Sequence, residues 1–191
     1  MARLLALAWC FGSGLAWAHP EGFHARYVFT VERTQLTALL VLDVDSGERC
    51  ELLRAGADAN RDGLLAREER AALEKKVASL VTRPLKLAIS GYPIPLTVKD
   101  TKLNLRDDQR VSRTAISVAL LLEVKHPYEV APGMHLELET VTPDASPLRL
   151  EVYQATQPGT PAEPDFKDEV ESGRKVRVRL GALAGPDAGR R

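Results

Sequence analysis

The sequence YVFTV at residues 27–31, followed by LTALLVLDV at residues 36–44, decides the fold of this 191-residue chain. Both stretches are rich in β-branched and aromatic residues, which favour extended strands. The residues between them, Glu32 to Gln35, are polar and suit a turn. The pattern therefore predicts an opening β-hairpin.

The same kind of pattern continues through most of the chain. Further strands are predicted at residues 85–89, 94–98, 103–105, 112–124, 134–141, 148–153 and 175–180. Pro93 and Pro95 restrict the second of these to a sheet edge or a bulge, because proline has no backbone N–H to donate. Eight or nine short strands separated by turns predict a mainly β protein, an antiparallel, immunoglobulin-like β-sandwich of about eight strands.

Residues 58–69 read DANRDGLLAREE and interrupt the strand pattern. A calcium ion takes six to eight oxygen ligands, which a twelve-residue loop supplies from positions 1, 3, 5, 7, 9 and 12. Gly63 stands at position 6, where the backbone must turn sharply. Leu65, at position 8, is expected to anchor the loop on the core. The candidate Ca²⁺ ligands are Asp58, Asn60, Asp62, the backbone carbonyl of Leu64, and Glu69.

A helix is predicted on each side of this loop, at residues 48–57 and 67–81. The second helix has one apolar face, made of Leu73, Val77, Leu80 and Val81. Helix, loop and helix together resemble an EF-hand, inserted into the sandwich at residues 47–82, and the resemblance implies calcium binding. Its short central strand can pack on the sheet, pair with a second copy of the protein or stay unpaired. We favour packing on the sheet.

Three residues of the loop depart from the calcium-binding pattern. Ala66, at position 9, has no side-chain oxygen, and Arg61 and Arg67 offset part of the negative charge. These departures predict weak binding, with a dissociation constant of roughly 10⁻⁴ to 10⁻³ M. The alternative is a polar turn before a helix that holds no metal.

The start of the chain has the pattern of a secretory signal peptide. Arg3 is followed by an apolar run over residues 4–11 and by the small-residue ending Ala16-Trp17-Ala18. Cleavage is expected after Ala18, so residues 1–18 leave and His19 becomes the first residue. An uncleaved membrane anchor is the alternative. We therefore expect a secreted or periplasmic protein.

The composition excludes several classes of partner. Lys plus Arg and Asp plus Glu each number 26, so no net charge attracts nucleic acid or anionic lipid. After residue 18, the longest apolar stretch, residues 115–124, is half the length of a membrane span. We expect one sandwich domain at residues 19–181, with a Pro-rich loop at 156–164 and a disordered tail at 182–191.

The order of elements within residues 18–96 resembles that of another group of proteins. An Ala-His-Pro start, two strands, a calcium loop, a helix and the pattern Leu-x-Leu-x-Ile-x-Gly-x-Pro are similar to exported N-terminal domains of nickel/cobalt-permease and hydrogenase-accessory membrane proteins. The resemblance implies an envelope-facing domain. The membrane spans of those proteins are not found in this sequence, so we expect no transport activity.

Copper is the alternative metal. An N-terminal histidine can bind copper through its amine and ring nitrogen, and His19 would be such a residue after cleavage. Its candidate partners by residue type are His24, His126 and His135. The residues that follow His19 match no copper-binding opening motif, so calcium is the preferred assignment.

Catalytic motifs are not found in the sequence. It has no Gly-x-Ser-x-Gly, His-Glu-x-x-His or phosphate-binding Gly-Lys-Ser/Thr pattern, so we expect no enzyme activity. Asp43 and Asp45 are carboxylates that could lie near the calcium loop. Cys50, the one cysteine after residue 18, is expected to be a small buried residue. The sequence thus predicts an exported calcium-binding module, a monomer or weak homodimer in which Ca²⁺ is structural and an envelope protein is a possible partner.

Overall fold

The computed structural model describes residues 22–106, 108–125, 129–154 and 164–181. These residues form two helices, α1 (Glu48–Ala55) and α2 (Arg67–Thr82), which lie between the second and third strands. The strands, in chain order, are β1 (Phe23–Val31), β2 (Gln35–Val44), β3 (Lys86–Ile89), β4 (Tyr92–Pro93), β5 (Val98–Asn104), β6 (Ile116–Lys125), β7 (His135–Glu139), β8 (Leu148–Gln154), β9 (Phe166–Val170) and β10 (Lys175–Arg179).

The strands form two sheets. One has six strands in the order β5-β6-β2-β1-β8-β9, and the other has four in the order β10-β7-β3-β4. The predicted opening hairpin is confirmed, since β1 and β2 pair antiparallel with Tyr27 opposite Leu40. The β1–β8 pair is parallel, unlike the all-antiparallel arrangement that we expected. The remaining pairs among the described strands are antiparallel.

The two sheets share one hydrophobic core. Burial alternates along β1, β2 and β6, as expected for strands with one face inward. Leu40 and Leu120 of the six-stranded sheet and Ile89 and Leu136 of the four-stranded sheet belong to the same buried cluster. The protein is therefore mainly β, with two sheets in a broadly sandwich-like arrangement.

Helix α2 joins this core through the face that the sequence predicted. Leu73, Val77 and Val81 are buried at intervals of four residues, and Leu80 packs against them. Helix α1 is shorter than predicted because it ends at Ala55, with Gly56 following as its cap. The helical pair thus contributes to the same core as the sheets.

Among the described residues, one predicted strand is absent and one observed strand was not predicted. The predicted strand at 94–98 is absent from the described residues. Strand β4 covers only Tyr92–Pro93, and after it the Ile94 amide donates to the Leu87 carbonyl of β3 at 2.8 Å. Pro95, which has no backbone N–H, cannot extend this pairing. Strand β9 was missed because its sequence, FKDEV, is largely charged, as suits an exposed sheet edge.

Several predictions fall outside the described residues. These are the signal peptide at 1–18, the metal candidates His19 and His126, nearly all of the Pro-rich loop at 156–164, and the tail at 182–191. Within the described residues, neither helix is long and apolar enough to cross a membrane.

The core assignment predicts opposite responses at two neighbouring leucines of β2. Leu40 has no exposed surface, whereas Leu39 faces outward and is 43% exposed. Leu40→Ala is expected to lower the free energy of unfolding by about 2–5 kcal/mol, because it leaves a cavity in the core. Leu39→Ala should cost about 1 kcal/mol or less. Equal losses in urea denaturation would contradict the predicted inward and outward faces.

Candidate metal centre

The loop at residues 58–69 is folded by its own side chains. Asp58 Oδ2 accepts a hydrogen bond from the Gly63 amide at 3.0 Å, so the first loop residue reaches across to the sixth. Asn60 Oδ1 accepts from the Asp62 amide, and Asp62 Oδ1 accepts from the Leu64 amide. Gly63 has φ of 80°, a left-handed conformation that glycine adopts without strain. The polar residues therefore turn the backbone into a closed loop.

Glu69 lies inside this loop rather than in solvent. It is only 8% exposed and stands in the first turn of α2. Its Oε1 accepts from the amides of Ala59 at 2.8 Å and Asn60 at 3.3 Å, and its Oε2 accepts from the Ala66 amide at 2.9 Å. Glu69 thereby joins the start of the loop to the start of the helix.

One oxygen of the loop is buried without a hydrogen-bond donor. Asp58 Oδ1 is shielded from solvent and has no partner, although the other oxygen of the same carboxylate binds Gly63. A buried unsatisfied acceptor costs free energy, more so when it carries charge. A cation at this oxygen would remove that cost.

The donor set around Asp58 suits a hard cation, although it is not assembled for one. Carboxylate, amide and carbonyl oxygens are the ligands that Ca²⁺ prefers. In the described parts of the chain, however, no group of three or more His, Cys, Asp or Glu side chains converges on one point. Glu69 is engaged with backbone amides, and Ala66 supplies no side-chain oxygen. The oxygen ligands are therefore of the kind that calcium binds, but only some of them are positioned to bind one ion.

The middle of the loop pairs with a second segment of the chain. Residues 108–115, which we call the connector, lead into β6. The Leu65 amide donates to the Gln109 carbonyl at 2.7 Å, and the Val111 amide donates to the Gly63 carbonyl at 2.9 Å. Leu64 and Arg110 form the antiparallel bridge between these bonds. The central strand of the loop therefore pairs with the connector, and not with a strand of either sheet as we expected. Leu65 is buried, as expected.

Arg54, near the end of α1, holds the connector in place. Its side chain is fully buried. Nη1 donates to the carbonyl oxygens of Asp108 and Arg110, the second at 3.0 Å. Nη2 donates to those of Thr114 at 3.2 Å and Leu105 at 3.5 Å. Sequence reasoning missed this residue, because nothing in its local pattern distinguishes it from a solvent-exposed helical arginine.

Asp108 fixes the connector from within. Its Oδ2 accepts from the hydroxyls of Ser112 and Thr114, and its Oδ1 accepts from the Arg110 amide at 3.0 Å. The Ser112 hydrogen bond, followed by those from Arg110 and Thr114, lowers the pKa of Asp108 from 3.8 to about 2. The ionised carboxylate is therefore part of the folded connector.

The other candidate residues make their hydrogen bonds with residues outside the loop. Asp43 accepts from the Ser117 hydroxyl, and Asp45 contacts His24 Nε2 at 2.8 Å. These contacts do not support the expectation that the two carboxylates lie near the loop at residues 58–69. His24 is on β1 and His135 is on β7, which belong to different sheets. Cys50 is buried as expected, and its thiol donates to the Asp45 carbonyl at 3.1 Å.

Comparison with known proteins adds no assignment, since the sequence matches neither a known protein family nor a curated protein.

The depressed pKa of Asp108 predicts a pH-dependent contribution to stability. Because the folded pKa is about 2 and the ordinary value is 3.8, ionised Asp108 stabilises the fold above about pH 4, and this contribution is lost as the pH falls towards 2. The difference in free energy of unfolding between wild type and Asp108→Asn should therefore be largest above pH 4 and shrink towards pH 2. Urea denaturation across this range measures it. A difference that is constant with pH would contradict the role given to the carboxylate.

Proposed function

We propose that this protein is an exported calcium-binding module whose loop at residues 58–69 binds one Ca²⁺. Asp58, Asn60, Asp62, the Leu64 carbonyl and Glu69 would supply the oxygens. The observation that carries the proposal is the buried, unpartnered Oδ1 of Asp58 in a loop otherwise closed by hydrogen bonds. The positions of these residue types and the left-handed Gly63 support it.

The contacts of Glu69 support weak affinity. Calcium would compete with the amides of Ala59, Asn60 and Ala66 for the two Glu69 oxygens. Arg61 and Arg67 lie within the loop and reduce its negative charge. A weak site suits a compartment in which calcium is plentiful, where the ion stays bound and stabilises the fold. At about ten times the dissociation constant, the stabilisation is about 1.4 kcal/mol.

The cellular setting follows from the sequence pattern. The leader-like residues 1–18 support secretion or a periplasmic location, with the sandwich as an immunoglobulin-like module at the cell envelope. The central strand of the calcium loop already pairs with the connector, which favours a monomer over a dimer joined through two loops. We propose a binding role rather than an enzyme activity, with an envelope protein as the partner.

Calcium titration of the wild-type protein tests the proposal. Calorimetry should show one saturable site that magnesium does not reproduce. Calcium at about ten times the dissociation constant should raise the melting temperature by about 3–6 °C, because the bound ion stabilises only the folded state. Glu69→Gln should remove most of this rise, because it replaces a charged ligand with a neutral one.

Glu68→Gln is the matched control. Glu68 is exposed and immediately precedes Glu69 in the first turn of α2. Glu68→Gln therefore removes the same charge from the same end of the helix. This variant should keep the calcium-induced rise. Wild-type protein with no calcium heat and no thermal shift at several millimolar would refute the calcium site.

A further inference from the structure

The structure points to a coupling between the calcium loop and the connector at residues 108–115. We infer that Arg54 is a positioning residue for the calcium site, and that it sets the calcium affinity through the connector without touching the ion. The inference rests on the proposed calcium site. Arg54 and the connector, which lie outside the loop, are the groups that control that site.

Arg54 contacts both sides of this coupling. Its backbone carbonyl accepts hydrogen bonds from the amides of Ala57 at 2.9 Å and Asp58 at 3.0 Å, so it fixes the first residue of the loop. Its guanidinium donates to the connector carbonyls of Asp108, Arg110 and Thr114. One buried residue therefore positions the start of the loop and the segment that pairs with the loop's middle.

The connector transmits this positioning to the centre of the loop. Two of its backbone hydrogen bonds join Gly63 and Leu65 to Val111 and Gln109. They fix the backbone on both sides of Leu64, whose carbonyl is a proposed ligand. Groups that orient metal ligands without touching the metal are known to change metal affinity by about ten- to hundredfold.

The same contacts predict a reciprocal effect of calcium on the connector. If the connector orders the loop for calcium, then bound calcium must stabilise the connector by the same coupling free energy. The Val111 amide, which donates to the Gly63 carbonyl, reports this directly. Calcium should slow the exchange of that amide with solvent, although Val111 lies far from the loop in the sequence.

Arg54→Met tests the inference by removing the guanidinium while keeping an apolar side chain. We expect calcium affinity measured by calorimetry to fall at least tenfold, and calcium to lose its effect on Val111 amide exchange measured by NMR. Arg49→Met is the control, because Arg49 lies on the same helix and its side chain binds Asp144 instead of the connector. That variant should keep the wild-type affinity.

A second variant covers the case in which Arg54→Met does not fold. Ser112→Ala combined with Thr114→Val removes the two hydroxyls that bind Asp108 and leaves α1 unchanged. It should speed exchange of the Val111 amide and weaken calcium binding about tenfold. Faster exchange with unchanged affinity would overturn the inference while leaving the calcium site intact. Wild-type protein that binds no calcium would instead refute the proposed function itself.

Discussion

The buried guanidinium of Arg54 is the constraint on which the helical part of the structure depends. A guanidinium stays charged inside a protein, and burying it is unfavourable unless its donors are satisfied. Its two terminal nitrogens donate to four carbonyl oxygens, from Leu105, Asp108, Arg110 and Thr114, whereas Nε is buried without an acceptor. For these carbonyl oxygens to reach the guanidinium, the segment that leads into β6 must lie over the end of α1. The paired position of the loop at 58–69 follows from that arrangement.

Buried charged groups of the two sheets also have partners of opposite charge. Glu151 of β8 is 3% exposed, and its carboxylate lies 3.1 Å from the guanidinium of Arg26. Arg26 is on β1, which pairs with β8 in parallel. Glu137 of β7 is 7% exposed and contacts Lys175 at 2.6 Å and Arg177 at 3.0 Å. Each buried carboxylate is covered by cations from a neighbouring strand. These ion pairs join neighbouring strands to one another.

The sequence predicted what local patterns determine. The hairpin of β1 and β2, the apolar face of α2 and the closed loop around Gly63 all follow from residue types at fixed short spacings. It could not predict the parallel β1–β8 pairing, the partner of the loop or the role of Arg54. Each of these depends on contacts between residues more than 40 positions apart, for which a single sequence carries no local signal. The charged strand β9 was missed because edge strands lack the alternation that burial imposes.

A crystal structure of the protein grown in millimolar calcium would show whether the loop at residues 58–69 binds the ion. We expect one density peak for a cation within about 2.3–2.6 Å of Asp58 Oδ1, the Leu64 carbonyl and at least one oxygen of Asn60, Asp62 or Glu69. We also expect Arg54 to keep its bonds to the connector in that structure. A loop without such a peak at saturating calcium, with Glu69 still held by the backbone amides, would refute the proposed calcium site.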